Sequence, residues 1–379
     1  METKRDIERF IDEIKYGRLN RREIMRMMAA AGLAVAVMPI GRLARADESQ
    51  PTCFTWSGYD APEMWVEYKK KYNAAPNFSI WGDEEEAEAK MRGGFHPDMV
   101  MPCSYKVTKW TDAGFLRPID TSRLEHWKEI IPTLYKVPDT IINGKVMWVP
   151  AWWGLTAPTF RTDLAPEYVP AEKHSWGILW DEKYKGRLSM IDSLIDGVMA
   201  VAIYSGAKDP FNMTEAEVAK CKEYMIKQRP LLRSYTNDNT GWQQALASGE
   251  LVAADSWNDT ILNLQKQNIP SMFMIPKEGP MTWTCGIGMT SWVTPQKEAR
   301  VYDLINAYLS ADTGVYWVET FGMGHSNKNA YSHFSGDELT KRGLTPGDID
   351  AYIAAGHFQA TIRNEPALQA IYEEVKAGI

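Results

Sequence analysis

The sequence carries many aromatic side chains but none of the common catalytic motifs. It contains 15 Trp, 17 Tyr and 11 Phe among 379 residues. Such rings either fill a core or grip flat and cationic ligands. A G-x-S-x-G elbow, an H-E-x-x-H helix, a P-loop and a C-x-x-C pair are all missing, and Gly286-Ile287-Gly288 is only a fragment of a dinucleotide fingerprint. The residue types therefore favour binding without a cofactor over catalysis.

The histidines and cysteines do not predict a metal site. The six histidines, at positions 96, 126, 174, 325, 333 and 357, include no pair spaced to ligate a metal from one helix face. Four cysteines in an oxidising compartment allow up to two disulfides, or they stay buried thiols. No recognised framework selects a pairing among Cys53, Cys103, Cys221 and Cys285.

Length and charge exclude other classes. A chain of 379 residues with 45% hydrophobic residues is long enough for two or three domains with a sizeable core. Lys and Arg number 42 against 49 Asp and Glu, which gives a net charge of -7 without a long basic block. We therefore expect no nucleic acid partner, because a phosphate backbone is bound through clustered positive charge.

The first 46 residues resemble an export signal. Arg21 and Arg22 precede an uncharged stretch over residues 27–41, which is too short for the roughly 20 apolar residues of a spanning helix. Ala44 and Ala46 then provide an A-x-A cleavage site. The paired arginines are typical of a twin-arginine signal. We expect cleavage after Ala46 and an acidic periplasmic protein.

The remaining chain has the pattern of an α/β protein, because short apolar runs alternate with amphipathic segments. The predicted strands are 52–56, 78–81, 98–101, 145–150, 156–161, 187–191, 251–255, 271–275 and 286–290. The predicted helices are 64–72, 83–92, 196–206, 215–227, 241–248, 296–310 and 365–377. Residues 151–154, between two of these strands, are predicted to cross between lobes.

Short motifs follow one another in a characteristic order along this chain. They are FTWSGY (54–59), PDMVMPCSY (97–105), VPAWWG (149–154), SWGILW (175–180), KYKGR (183–187), SGE (248–250), SWN (256–258) and PKEG (276–279), which leads into Trp283. Each motif alone is weak. In this order and at these spacings, nearly all of residues 47–379 resembles the spermidine/putrescine-binding proteins of bacterial ABC importers.

The resemblance implies a two-lobed type II periplasmic-binding-protein fold with two crossing segments at the hinge. The lobes would close on a small-molecule ligand by a hinge motion. Lobe 1 would comprise residues 47–152 and 285–333, and lobe 2 residues 153–284 and 334–379. The expected partner is the membrane permease of an ABC importer, and the expected state is a monomer.

The resemblance also implies where the ligand binds. A polyamine needs aromatic faces along its methylenes and carboxylates at its charged ends. Matching aromatic positions are Trp56, Tyr59, Tyr105, Trp257 and Trp283, and Gln359 matches a polar contact. The alternative role of each ring is core packing.

The acids of the family's site are depleted here. Gly58 and Cys285 stand where the family commonly has acids, and Ser193 replaces a third. Asp196 keeps one carboxylate, and Asp192 is a candidate substitute. An uncompensated charge costs several kcal/mol once buried. The ligand is therefore expected to be a polyamine or another small organic cation, with a zwitterion, a carboxylate or a neutral aromatic compound as the alternative.

Cys103 and Cys285 both align to cleft positions and are counted among the candidate ligand residues. Three states of this pair stay open from the sequence. They are a disulfide, a thiol-lined pocket and two buried structural thiols.

Overall fold

The described part of the protein is built around a mixed sheet of ten strands. The computed structural model describes residues 47–341, 344 and 357–378, so the predicted export signal lies outside the described residues. All contacts discussed below lie within the unit formed by residues 48–379. The strands are β1 (Thr52–Trp56), β2 (Asn77–Trp81), β3 (Met99–Val100), β4 (Ile141–Ile142), β5 (Lys145–Val146), β6 (Val149–Arg161), β7 (Leu188–Ile191), β8 (Leu232–Thr236), β9 (Ala253–Trp257), β10 (Ser271–Phe273), β11 (Met281–Met289) and β12 (Gly324–His325).

Two long strands, β6 and β11, join two groups of parallel strands. The order across the sheet is β2-β1-β3-β11-β6-β9-β7-β8, and β10 and β12 also pair with β6. Pairing is parallel within β2-β1-β3 and within β9-β7-β8, whereas β11 and β6 run antiparallel to each other and to their outer neighbours. The small hairpin β4-β5 forms a separate sheet. Strands β6 and β11 thus connect the two groups of parallel strands within one sheet.

The strand β6 is longer than the sequence pattern predicts. It runs without interruption over 13 residues and is buried along nearly all of them, whereas we predicted two strands separated by a crossing at 151–154. The backbone of this stretch stays extended because β11 pairs with it there and β9 pairs with the part that follows. Likewise, β11 begins at Met281 instead of the predicted residue 286.

The helices mostly agree with the amphipathic pattern. They are α1 (Val66–Tyr72), α2 (Glu84–Arg92), α3 (Val107–Asp112), α4 (Met199–Ser205), α5 (Glu215–Gln228), α6 (Asn239–Ser248), α7 (Asp259–Lys266), α8 (Pro295–Leu309), α9 (Ala311–Phe321), α10 (Gly336–Lys341) and α11 (Glu365–Ala377). The bounds predicted for β1 and α11 are confirmed. The strands β4, β8 and β12 and the helices α3, α7, α9 and α10 were missed.

Local signals explain where several helices begin. Thr214 accepts a hydrogen bond from the backbone of Glu217, whose side chain bonds back to the Thr214 amide, so a capping box starts α5. Asp83 likewise caps the N-terminus of α2, where its side chain accepts the backbone amide of Glu86. The missed helices α3 and α10 span only six residues each, which is too short for an amphipathic period to be recognised, whereas α7 and α9 do have an amphipathic pattern.

Tryptophans dominate the core beside β6. Trp152 stacks on Trp317 of α9 with ring centroids 4.6 Å apart, and Trp153 donates a hydrogen bond to the Tyr331 hydroxyl at 3.0 Å. Core packing therefore accounts for much of the tryptophan content. Among the described helices, none is long and apolar enough to cross a membrane.

Gly154 permits a close approach between the two long strands β6 and β11. A Cβ atom at this position would lie 2.1 Å from the ring of Trp283 and 2.6 Å from Asn258 Oδ1. The indole of Trp283 therefore lies against bare backbone of β6, and only glycine leaves that space.

Gly154→Ala is expected to lower the free energy of unfolding by about 1–3 kcal/mol, the usual cost of overpacking a buried site. Urea denaturation followed by tryptophan fluorescence measures the change. Gly336→Ala is the matched control, since its Cβ would meet no atom within 4 Å. Equal stability of the two variants would contradict the packing argument.

Candidate functional site

The predicted acid Asp196 lies at the centre of a group of buried polar side chains. Its carboxylate accepts hydrogen bonds from Thr156 Oγ1 at 2.9 Å, Gln359 Nε2 at 3.1 Å and Ser193 Oγ at 3.4 Å. The indole of Trp257 bonds to it as well. The structure thus brings together four predicted site residues, and it adds Thr156, which the sequence did not single out.

Secondary structure positions each member of this group. Ser193 follows β7 and caps the single π-helical turn Leu194–Val198, which carries Asp196. Thr156 of β6 pairs directly with Trp257 of β9, so both lie on neighbouring strands at the same level. The group depends on the sheet register, because a slip of one residue would turn Thr156 to the other face.

Burial makes the Asp196 carboxylate electrostatically unusual. The residue is only 6% exposed, and burial raises its pKa to about 6, although the hydrogen bonds from Thr156, Trp257, Ser193 and Gln359 oppose the shift. Neutral donors orient the carboxylate but do not cancel its charge. A cation next to it would do so.

The segment that carries Gln359 is attached to the start of β11. The backbone amides of Gln359 and Thr282 donate to the carbonyls of Thr282 and His357, each at 2.8 Å. Ser104 Oγ donates to the Gln359 carbonyl at 3.3 Å, and Thr361 Oγ1 donates to the Tyr105 carbonyl at 3.1 Å. Gln359 therefore links the Asp196 group to the turn that holds Tyr105.

Tyr105 borders a second buried acid that the sequence analysis missed. Glu84 is 1% exposed, accepts the backbone N–H of Cys103 at 2.6 Å and hydrogen-bonds with the Tyr105 side chain. Burial raises the Glu84 pKa to about 7 despite these bonds. Burial, with the negative charges of Glu84 and Asp196, also raises the Tyr105 pKa. The acidic run 84–86 offered the only signal, and it does not indicate which carboxylate is buried.

Cys103 and Cys285 form a disulfide. The bond ties the 3-10 turn Ser104–Lys106 to β11, and the Gly286 amide donates to the Pro102 carbonyl at 3.0 Å beside it. Of the three states left open by the sequence, the disulfide is the one present. Both sulfurs are bonded to each other, so neither cysteine offers a thiol to a ligand.

The other two cysteines are buried thiols. Cys53 lies in β1 and Cys221 in α5, and both are free. Burial raises the pKa of Cys221 to about 12 and that of Cys53 well above its usual value. Neither forms a thiolate near neutral pH, so both act as small core side chains.

The predicted aromatic residues are half-buried except Trp283, which is buried. Trp56 donates its indole N–H to the Met101 carbonyl at 3.0 Å. Tyr59 makes edge contacts with the rings of Trp152, Trp317 and Phe321 at centroid distances of 5.2, 4.6 and 5.5 Å. These residues thus pack against the core while keeping part of their surface free. Their ligand role stays a prediction.

Asp192 is engaged elsewhere. It accepts hydrogen bonds from the Tyr372 hydroxyl at 2.9 Å and from Lys376 Nζ at 2.7 Å, both on α11. The ion pair with Lys376 already compensates its charge. Its role as a substitute acid stays a prediction, and these contacts do not support it.

Comparison with known proteins identifies similar binding proteins. The family profile described as "Bacterial extracellular solute-binding protein" matches residues 67–344. The putrescine-binding periplasmic protein PotF of Escherichia coli K12 is 26% identical over 358 residues, covering 88% of this chain and 92% of that protein. Spermidine/putrescine-binding periplasmic protein 1 of Haemophilus influenzae is 25% identical over 282 residues, covering 73% and 75%. These matches confirm the expectation of a binding protein instead of an enzyme.

Solved structures share the fold. The spermidine/putrescine ABC transporter substrate-binding protein PotD from Streptococcus pneumoniae has a TM-score of 0.72 at 16% identity, covering 87% of this chain and 98% of its own. MotA from Agrobacterium tumefaciens B6, solved in complex with glucopine, has a TM-score of 0.67 at 13% identity, covering 86% and 99%. The predicted type II periplasmic-binding fold is thereby confirmed.

Replacing both bonded cysteines, Cys103→Ser with Cys285→Ser, is expected to lower the free energy of unfolding by about 2–5 kcal/mol, since the disulfide restricts a long loop of the unfolded chain. Thermal denaturation measures the loss. A chemical check is alkylation of the unfolded protein, which should label Cys53 and Cys221 without reductant and all four cysteines after reduction. Four labels without reductant would refute the bond.

Proposed function

The chain belongs to the bacterial extracellular solute-binding proteins, and from that premise we propose that it captures a small organic cation of the polyamine type for an ABC importer. The observation that carries the proposal is the buried Asp196 carboxylate beside Trp257 and Gln359. The relatives named for putrescine and spermidine support the same ligand class.

The charge of Asp196 favours a cationic ligand. An ionised carboxylate in a buried site is costly unless an opposite charge lies close to it. An ammonium group placed there forms a charge-assisted hydrogen bond and lowers that cost. The ring of Trp257 offers an apolar and electron-rich surface to the adjoining methylenes. Ligand binding would thus relieve an unfavourable feature of the free protein.

The alternative is a solute that is not a polyamine. Gly58 and Ser193 carry no charge, and Cys285 is held in a disulfide, so three acids that the resemblance leads one to expect are missing. MotA shares the fold and was solved with glucopine. A zwitterion, a carboxylate or a neutral aromatic compound would suit a site with less negative charge.

We further propose that β6 and β11 form the hinge between two lobes that close on the ligand. The proposed boundaries fall after residues 152 and 284. Trp152 pairs with Cys285 and Trp153 with Thr284, so both boundaries occupy neighbouring positions of one ladder. A bend there would move one group of strands relative to the other. Lobe 1 comprises 47–152 and 285–333, and lobe 2 comprises 153–284 and 334–379.

We propose that the protein is located in the periplasm. The relatives are named as periplasmic proteins, and the N-terminal sequence has the paired Arg21 and Arg22 and the Ala44–Ala46 cleavage pattern. The exported monomer would carry its ligand to the membrane permease.

Asp196→Asn is expected to weaken the binding of putrescine, spermidine or tetramethylammonium about tenfold or more, because hydrogen bonds and contacts to a charged group contribute roughly 1.5–3 kcal/mol. The amine that gives the largest thermal shift is chosen first, and isothermal titration calorimetry then gives its dissociation constant with wild type and variant.

The matched control for this titration is Asp163→Asn. Asp163 has an exposed side chain, which pairs with Arg161 at 2.8 Å, and it lies outside the group around Asp196. The Asp163→Asn substitution should leave amine affinity unchanged. If Asp196→Asn also leaves amine affinity unchanged, or if only amino acids and organic acids bind, a cationic ligand is excluded and the alternative of a non-polyamine solute takes its place.

The export proposal predicts a defined mature end. Expression in a Gram-negative host should yield a periplasmic protein whose N-terminal sequencing begins at Asp47. Arg21→Lys with Arg22→Lys should keep the protein in the cytoplasm, because the twin-arginine route reads the pair itself. Arg42→Lys is the control, and it should be exported normally. Unchanged export of the double variant would point to the general secretory route.

A further inference from the structure

We propose that the Cys103–Cys285 disulfide makes ligand binding redox-sensitive, because it holds in place the turn that supports Gln359. The bond joins two residues 182 positions apart, and Cys103 immediately precedes the 3-10 turn Ser104–Lys106. The inference rests on the proposed function, in which Gln359 and Asp196 lie at the ligand. It gives the two cysteines a positioning role, since neither has a thiol to offer to a ligand.

Two side-chain hydrogen bonds attach this turn to the segment that carries Gln359. Ser104 Oγ donates to the Gln359 carbonyl at 3.3 Å, and Thr361 Oγ1 donates to the Tyr105 carbonyl at 3.1 Å. Gln359 Nε2 donates in turn to Asp196 Oδ1 at 3.1 Å. Ser104 and Gln359 are only 1% and 3% exposed, so water does not readily replace the bond between them. A displacement of the turn therefore moves Gln359 relative to the Asp196 carboxylate.

The disulfide is a covalent link between this turn and β11, with hydrogen bonds beside it. The Pro102 carbonyl accepts from the Gly286 amide and from Trp148 Nε1, each at 3.0 Å. The Cys103 amide donates to Glu84 Oε1 at 2.6 Å. These bonds hold the chain just before the turn. Without the S–S bond, only non-covalent contacts restrain the turn, so its motion increases.

Breaking the S–S bond also requires additional space. Two sulfur atoms that no longer share a bond must separate to van der Waals contact. Cys285 is 5% exposed and is held in β11, where it pairs with Trp152 of β6. Cys103 is half-buried and lies between β3 and the turn. The movement therefore falls on Cys103 and on the turn that follows it.

A dithiol reductant completes the change in two balanced steps. Its thiolate attacks the sulfur of Cys103, the more exposed residue of the pair. The S–S bond breaks, and Cys285 leaves as a thiolate that takes up a proton. The second thiol of the reductant then attacks the mixed disulfide, and Cys103 leaves and is protonated in the same way. The reductant becomes a cyclic disulfide and gives two electrons and two protons to the cysteine pair.

The first measurement needs no ligand. Amide hydrogen exchange, followed by mass spectrometry, compares wild type with the double variant Cys103→Ser with Cys285→Ser and with Ser104→Ala. Exchange at residues 357–361 should rise about fivefold or more in both variants, because each removes a link that holds this segment. The matched control Ser332→Ala, which removes an exposed hydroxyl, should leave exchange there unchanged. The helix α5 serves as the internal reference in every protein.

The second measurement is equilibrium dialysis with putrescine as the probe. Reduction of wild type with dithiothreitol should weaken putrescine binding about fivefold or more, which is the scale of one lost hydrogen bond. The double cysteine variant should bind as weakly as reduced wild type, and dithiothreitol should not change its affinity. Ser104→Ala should weaken binding while its disulfide stays intact, which keeps the test decisive if the double variant does not fold. Ser332→Ala should bind as wild type does.

Several outcomes would overturn the inference. It is refuted if exchange at 357–361 is unchanged in the variants, or if it rises equally in α5, which indicates a general loss of stability. Unchanged putrescine affinity despite raised exchange at 357–361 refutes it as well. So does a disulfide that resists dithiothreitol, detected as two alkylated cysteines instead of four after unfolding.

The ligand-free measurement separates this inference from the proposed function. If putrescine, spermidine and tetramethylammonium all fail to bind wild type, the proposed ligand class is excluded. Raised exchange confined to residues 357–361 would still support the link between the disulfide and this segment. If putrescine binds wild type and both variants equally well, the proposed function stands and the redox sensitivity is refuted.

Discussion

The antiparallel pairing of β6 and β11 is the constraint on which the rest of the molecule depends. Buried strands must pair their backbone groups. The two long strands pair with each other, and each also pairs with the strand on its outer side. Their register places Trp283 over Gly154. Two residues further along β6, Thr156 reaches Asp196. The site is therefore a consequence of strand register, and side chains distant in sequence meet because the ladder brings them together.

Local patterns in the sequence predict much of the fold but not the contacts of the site. The strand Thr52–Trp56 and the helix Glu365–Ala377 are evident from periodicity. The length of β6 is not evident from periodicity, because its apolar, glycine-containing centre is equally compatible with a crossing loop. The bond between Cys103 and Cys285 joins residues 182 apart. Nothing local selects that pairing, just as nothing local distinguishes the buried Glu84 from its exposed acidic neighbour Glu85.

Four buried carboxylates among the described residues give the free protein a common electrostatic cost. Burial raises the pKa of Glu84 to about 7, those of Asp196 and Asp259 to about 6, and that of Asp255 well above its usual value. Because these values lie above the ordinary range, each group opposes folding once it is ionised. Its cost is absent below the ordinary pKa and grows as the pH rises through the raised value. Groups with such raised pKa values often occur where a protein performs its function, and they lower the stability of the fold that retains them.

The disulfide also determines how the chain responds to force. A cross-link between Cys103 and Cys285 closes a covalent ring around a 182-residue separation, which includes most of the proposed second lobe. A molecular motor that pulls on either terminus can extend only the part of the chain outside this ring. At about 3.3–3.6 Å per extended residue, the ring withholds roughly 600 Å of contour length. A processive unfoldase that reaches Cys103 would therefore have to thread two strands through its pore at once.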